Sequence, residues 1–205
     1  MKQNKVHYWA IFIIFQIVSL LIIFACSTQS DEFETFHFNI NRNLLSQAWT
    51  DSTTYFSFCH PKGWHSADSL TLHTIRSRMK NEYKLQNFKL VQLFSDSLNT
   101  DFCSVSRVDL RNEMSNADSI VQFFNQQITK KFDGSEINHA KIKIDDYQAL
   151  QYRIITPDRV LFKLIFINTH PEIIQLDYAI ARSTYQEIIE SVESSIGSIH
   201  DSRKE

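Results

Sequence analysis

The chain has 205 residues, with 21 Lys and Arg against 23 Asp and Glu, 43% hydrophobic residues, and three each of Gly, Pro and Cys. This length suits one ordinary domain, and the near-neutral charge gives no electrostatic reason to expect a nucleic-acid partner. Three glycines cannot supply a phosphate-cradling loop, because the dinucleotide and P-loop motifs each need several glycines within a few residues. We therefore expect neither a nucleic acid nor a nucleotide as a partner.

The N-terminus carries a long segment without charge. No charged residue lies between Lys5 and Asp31, and a mostly apolar run of 18 residues extends from Tyr8 to Ala25. A basic start followed by an apolar run is the form of a secretory signal, although this run approaches the ~20 residues of a membrane span. Lys2 and Lys5 would hold the short end in the cytoplasm, so the rest of the chain would face away from it.

The end of the apolar run, Ile23-Phe24-Ala25-Cys26, resembles the lipobox of bacterial lipoproteins. The resemblance implies that residues 1–25 are a signal peptide cut before Cys26, and that Cys26 is the site of lipid attachment. Several acyl chains would make this membrane anchor stable, because one chain alone binds only marginally. Residues 27–35, which include three acidic side chains, are similar to the surface-export tether of Bacteroidetes lipoproteins, or form a solvated linker. An uncleaved single-pass anchor and a plainly secreted protein remain open as alternatives.

The mature chain would have 180 residues with 19 basic and 23 acidic side chains, a net charge of −4. A domain of this size can bury enough surface to be stable without a disulfide or a metal. We divide the chain into a signal peptide (1–25), a tether and N-terminal arm (26–50), one domain (51–200) and a polar tail (201–205).

The first half of the mature chain is rich in strand patterns. Residues 33–50 indicate a short strand or a loosely docked arm, and residues 54–59 a strand that ends in a Pro-x-Gly turn over 60–64. Residues 70–85 indicate an irregular helix. Phe88–Phe94 and Phe102–Leu110 indicate two strands joined by a polar turn.

The second half alternates between helical and extended patterns. Apolar residues at helical spacing run from Ala117 to Phe132, with Ser115 and Asp118 as a cap pair and Gly134 as the stop. Four extended segments (137–144, 147–156, 160–168 and 173–181) follow with turns so short that they must form an antiparallel meander. Thr184 and Glu187 form a capping box that opens a closing helix, with Gly197 near its end. The fold class is α+β, an antiparallel sheet with packed helices.

The segment from Tyr55 to Trp64, Tyr-Phe-Ser-Phe-Cys-His-Pro-Lys-Gly-Trp, resembles the opening of the PsbP-like superfamily. The similarity covers about residues 53–200 and includes the element Tyr147-Gln-Ala-Leu-Gln-Tyr152. It implies an αβα sandwich, and the DcrB-type lipoproteins of that superfamily share the lipoprotein signal. The members have unrelated roles and no common catalytic residue, so the resemblance implies a small non-catalytic domain with no site to carry over.

Cys59 and Cys103 are the thiols that remain beside Cys26. Outside the cytoplasm they could form a disulfide, which would close a loop of about 45 residues and stabilise the fold by ~4 kcal/mol. The alternative is a pair of buried free thiols, since the sequence does not show whether the two Cα atoms come within ~7 Å.

No motif for a metal, a cofactor or catalysis emerges. His60, His65, His139 and His170 are scattered and lack metal-ligand spacing. Four carboxylates could hold calcium only if the strand ends converged, and turn chemistry explains the first two equally well. The four are Asp145, Asp146, Asp158 and Asp177. We therefore expect no metal, no cofactor and no catalytic residue.

These patterns predict an envelope lipoprotein that faces the periplasm or the cell surface, with the outer membrane as its expected location. Its predicted role is to bind or support other envelope proteins rather than to act as an enzyme. A hydrolase or small-ligand carrier with an aromatic pocket is the alternative, although such aromatic residues more often form a core. The aromatic residues concerned are Phe56, Phe58, Trp64, Phe123, Phe124, Phe132, Phe162, Phe166 and Tyr178.

Overall fold

The computed structural model describes residues 33–81, 88–98, 100–109, 116–169 and 172–204. The chain divides into two compact units, Met1–Glu32 and Phe33–Glu205, and the described fold belongs to the second. The predicted signal peptide and Cys26 lie outside the described residues. Within the described ranges, no helix is long and apolar enough to cross a bilayer.

The described residues form eleven strands, three α-helices and two short 3-10 turns. The strands are β1 (Glu34–Thr35), β2 (Leu45–Thr50), β3 (Phe56–Pro61), β4 (His65–Ser66), β5 (Phe88–Ser95), β6 (Phe102–Val108), β7 (Glu136–Ile144), β8 (Tyr147–Ile155), β9 (Arg159–Phe166), β10 (Ile173–Ala181) and β11 (His200–Asp201). The helices are α1 (Ser69–Asn81), α2 (Ala117–Lys131) and α3 (Tyr185–Gly197).

Eight strands form one large sheet in the order β1-β7-β8-β9-β10-β6-β5-β4. All neighbours are antiparallel except β1 and β7, which run parallel. The predicted meander is confirmed as β7 to β10, and the turn between β7 and β8 has only two residues. Asp145 in this turn has φ +52, a left-handed conformation that Asp tolerates better than most residues.

The large sheet buries both faces, which explains its apolar strands. Side chains alternate along each strand, so β9 sends Val160, Phe162, Leu164 and Phe166 into one core while Ile165 enters the other. The first core lies against α3 and the second sheet, and the second core lies under α2. This arrangement confirms the α+β fold class with helices packed on an antiparallel sheet.

A second sheet, which the sequence patterns did not predict, has the order β11-β3-β2. It incorporates β2 from the segment predicted as an arm, and β1 joins the large sheet. The predicted polar tail is corrected as well, because His200 and Asp201 pair with Ser57 and Phe56 of β3. Both ends of the described chain therefore belong to the packed domain.

Two predicted helix caps differ from the structure. The N-cap of α2 is Asn116, whose side chain accepts a hydrogen bond from the Ser119 backbone N–H. Ser115 lies outside the described residues. Thr184 makes no side-chain capping bond to α3, because its hydroxyl donates to Asp101 Oδ2 at 2.7 Å.

Candidate binding face

The predicted site residues lie apart from one another. Cys26 is outside the described residues, whereas Cys59 and Cys103 are both buried free thiols. Cys103 is directly paired with Tyr178 across β6 and β10, and burial raises the pKa of Cys103 well above its usual value. The disulfide between Cys59 and Cys103 is not formed in this structure and stays a prediction.

The carboxylates of the calcium alternative do not converge. Asp145 and Asp146 lie at one end of β8 and Asp158 follows its other end, and nine residues of strand separate the two ends by about 27 Å. Asp177 lies in the middle of β10. Within the described ranges, no group of three or more His, Cys, Asp or Glu residues could hold a metal ion.

The aromatic residues of the pocket alternative pack into the two cores. Six belong to the core beside α3, namely Phe56, Phe58, Trp64, Phe162, Phe166 and Tyr178. Phe124 belongs to the core under α2, and Phe123 and Phe132 pack against it. Their role as core residues favours a filled domain over an aromatic ligand pocket.

A row of polar side chains crosses the sheet face that lies under α2. His139, Tyr152, Lys163, Asp177 and Ser104 are directly paired across β7, β8, β9, β10 and β6. Directly paired residues share a face, and Tyr152 fixes which face, because it belongs to the core under α2. We call these five residues the polar row. It interrupts a face that is otherwise largely apolar.

The centre of the polar row is a partly buried ion pair. Lys163 Nζ lies 2.7 Å from Asp177 Oδ1, and their side chains are 16% and 24% exposed. Gln175 Nε2 donates to the second oxygen, Asp177 Oδ2, at 2.6 Å. Both carboxylate oxygens therefore already accept a hydrogen bond, and partial burial weakens the screening by solvent.

Lys131, the last residue of α2, is an exposed lysine whose pKa responds to the charges of this ion pair. Burial and the positive charge of Lys163 lower the pKa of Lys131, whereas Asp177 raises it. The helix is held over the row by the Tyr152 hydroxyl, which donates to Asn125 Oδ1 at 2.6 Å. We call Lys131, Lys163, Asp177 and Gln175 the cationic cluster. Its two cations and one anion leave a net charge of +1.

The sequence patterns missed the cationic cluster, although part of the signal was present. Within β9, Lys163 is the one charged residue after Arg159 at the start of the strand. Within β10, Asp177 is the one charged residue. A lone charge in each of two adjacent antiparallel strands can indicate a cross-strand pair. The contribution of Lys131 could not be inferred, because it depends on where α2 crosses the sheet.

A second charged group joins the two sheets. Arg107 of β6 contacts Asp51 Oδ1 at 3.0 Å and Glu172 Oε2 at 3.2 Å. Asp51 is only 3% exposed and also accepts a 2.6 Å hydrogen bond from the Thr54 hydroxyl. Because all of these contacts lie within the domain, we interpret this group as an ion-pair network that stabilises the fold.

Comparison with known proteins supports the architecture. The solution structure of cyanobacterial PsbP (CyanoP) from Synechocystis sp. PCC 6803 matches with a TM-score of 0.50, over 76% of this chain and 91% of that chain. The fold is PsbP-like. The sequence identity is 17%, so the likeness concerns the fold alone. No family model and no curated protein matches the sequence.

The buried tyrosines of this PsbP-like domain predict a loss of stability at alkaline pH. Burial raises the pKa of Tyr147 and of Tyr152 to about 12, and it also raises the pKa of Tyr178 well above its usual value. An unfolded tyrosine titrates near pH 10, so these groups stabilise the fold below about pH 10 and lose that effect as the pH rises toward 12. We expect the urea midpoint to fall over this range.

The measurement is urea unfolding at several alkaline pH values, together with phenolate absorbance of the native protein. Tyr152→Phe should reduce the pH dependence, because it removes one of the shifted groups. The exposed Tyr55 offers a matched control, and Tyr55→Phe should leave the dependence unchanged. Equal pH dependence in wild type and Tyr152→Phe would contradict the assignment.

Proposed function

We propose that the chain is a lipid-anchored protein of the bacterial cell envelope, and that its PsbP-like domain is a non-catalytic binding or support module. The lipobox-like segment Ile23–Cys26 supports the anchor. The observation that carries the proposal is the position of Cys26, directly after Ala25 at the end of an 18-residue apolar run that follows Lys2 and Lys5.

The binding role is supported by where the polar groups of the domain lie. The pocket alternative required aromatic residues around a cavity, and those residues are core residues. The cationic cluster instead combines charges with partial exposure on one face of the sheet. We therefore propose the α2 side of the sheet as the face that meets an envelope component.

The anchor is tested by metabolic labelling with palmitate in cells that express the full chain. Wild type should be labelled and membrane-bound, and Cys26→Ala should lose the label because the acceptor thiol is absent. Cys59→Ala is the matched control, since it removes a buried thiol and should leave labelling intact. Equal labelling of wild type and Cys26→Ala would contradict the proposal and favour an uncleaved anchor or a secreted protein.

A further inference from the structure

Positive charge is concentrated in α1 and the segment that follows it. Residues 69–89 contain five basic side chains and one acidic side chain, a net charge of +4. The rest of residues 26–205 has 14 basic and 22 acidic side chains, a net charge of −8. α1 itself contains Arg76, Arg78 and Lys80 and no acidic residue. The helix is therefore a basic element in an otherwise acidic chain.

One side of α1 is fixed against the domain. Leu72 is buried, and Met79, two turns further along the same side, is half-buried. Arg76 lies on this side as well, where its guanidinium donates to Leu90 O at 2.7 Å and to Val91 O at 3.0 Å. These bonds attach the helix to β5, so the opposite side of α1 is held facing the solvent.

The solvent-facing side of α1 combines cations with an exposed leucine. Leu70 is 75% exposed, and Thr74, Arg78 and Lys80 are exposed as well. At about 100° per residue, Leu70 projects midway between Arg78 and Lys80 around the helix axis. Among the described residues, neither Arg78 nor Lys80 has an ion-pair or hydrogen-bond partner. We call Leu70, Thr74, Arg78 and Lys80 the outward face of α1.

We infer that the outward face of α1 lies against the anionic lipid headgroups of the membrane to which the chain is anchored. This inference rests on the proposed function, because it takes the membrane of the anchor as the partner, and it adds the surface that meets the lipid. Basic side chains are attracted to an anionic leaflet within about one Debye length. The same leaflet repels the acidic remainder of the chain, so charge favours one orientation of the domain.

Leu70 favours a lipid surface over an acidic protein as the partner. An apolar side chain between cations is typical of helices that lie on membranes, where it enters the acyl boundary while the cations remain at the headgroups. The acidic surface of a soluble protein is hydrated and offers no apolar layer beneath its charges. The anchor would keep the protein at the membrane, and α1 would set its orientation there.

The test measures contact between α1 and lipid in vesicles that hold the full chain. A fluorophore on Thr74→Cys is quenched by spin-labelled lipid headgroups, whereas Cys59 and Cys103 are buried and wild type gives the background from Cys26. Quenching should be stronger with about 30% phosphatidylglycerol than in pure phosphatidylcholine, and salt at about 0.5 M should abolish the difference. A fluorophore on Thr129→Cys, an exposed position of α2, should show no difference.

Charge variants identify the side chains that make the contact. Arg78→Gln combined with Lys80→Gln should weaken it by about thirtyfold, because each cation near an anionic leaflet strengthens binding about fivefold. Leu70→Gln should weaken the contact but retain its salt dependence. Lys130→Gln combined with Lys131→Gln is the matched control, since it removes two exposed cations from the end of α2 and should stay within about twofold of wild type.

Equal quenching in the two kinds of vesicle, or equal losses in the two double variants, overturns the inference. A response to polyglutamate in place of anionic vesicles overturns it in favour of an acidic protein partner. Circular dichroism identifies a variant that has lost its fold, and Arg78→Lys combined with Lys80→Arg should retain the contact. Flotation with neutral vesicles tests the anchor separately, because it does not depend on the charge of α1.

Discussion

Replacement of Arg107 by Met is expected to destabilise the domain by about 3–5 kcal/mol, the cost of breaking one side of a buried ion pair. Arg107 is 13% exposed and holds both Asp51 and Glu172. Methionine fills similar volume but leaves the Asp51 carboxylate buried without a counter-charge. The hydrogen bond from Thr54 cannot replace a full positive charge. The measurement is the free energy of unfolding from urea titration.

Arg203 provides the matched control for this prediction. It also pairs with an aspartate, Asp201, but its side chain is 62% exposed. Exposed ion pairs contribute little, so Arg203→Met should cost less than about 1 kcal/mol. Asp51→Asn in the Arg107→Met background should recover part of the loss, because it removes the stranded charge. The interpretation fails if Arg107→Met costs no more than Arg203→Met.

The long strands of the large sheet could be predicted because their signals are local. β7 to β10 are extended, largely apolar segments, and the short turns between them leave only an antiparallel arrangement. The turn at Gly63, which has φ +84, was equally visible, because glycine adopts this conformation without strain. In these segments, local propensity and tertiary packing favour the same structure.

The second sheet could not be predicted, since its strands carry little pattern of their own. β11 has two residues and becomes a strand only by pairing with β3. In β2, Leu45 is the one buried residue, so the amphipathic alternation is weak. Thr184, at the start of α3, is a second feature that depends on a distant residue. Its sequence fits a capping box, but Asp101, a distant residue, binds its hydroxyl.

The candidate binding face, too, could be predicted from the sequence only in part. Lone charges in β9 and β10 were visible in the sequence, but whether Lys163 faces Asp177 depends on the register of the two strands. A shift of one residue would have placed the two side chains on opposite faces. Lys131 lies at the end of α2, so its position depends on how that helix crosses the sheet. The chemistry of the face is therefore a tertiary property, whereas the lipobox is a local sequence signal.

Gly197, the last residue of α3, is predicted to be essential for the docking of the N-terminal arm. A Cβ atom at this position would lie 2.4 Å from Phe38 Cβ and 3.0 Å from Ile40 Cγ1. Gly197→Ala should therefore destabilise the domain by about 1–3 kcal/mol, the usual cost of overpacking. Helix propensity alone favours the opposite sign, because Ala is preferred over Gly by roughly 0.5–1 kcal/mol. Urea unfolding measures the sign directly.

A double-variant cycle locates the cause of this effect at Phe38. The colliding atom is the Phe38 Cβ itself, so Phe38→Ala retains the collision with Gly197→Ala, whereas Phe38→Gly removes it. The pair with Phe38→Gly should show favourable coupling, and the pair with Phe38→Ala should show little. Glu193→Ala, at an exposed position of α3, is the control and should change stability by less than about 0.5 kcal/mol. A Gly197→Ala variant as stable as wild type would show that the arm does not pack on α3 as described.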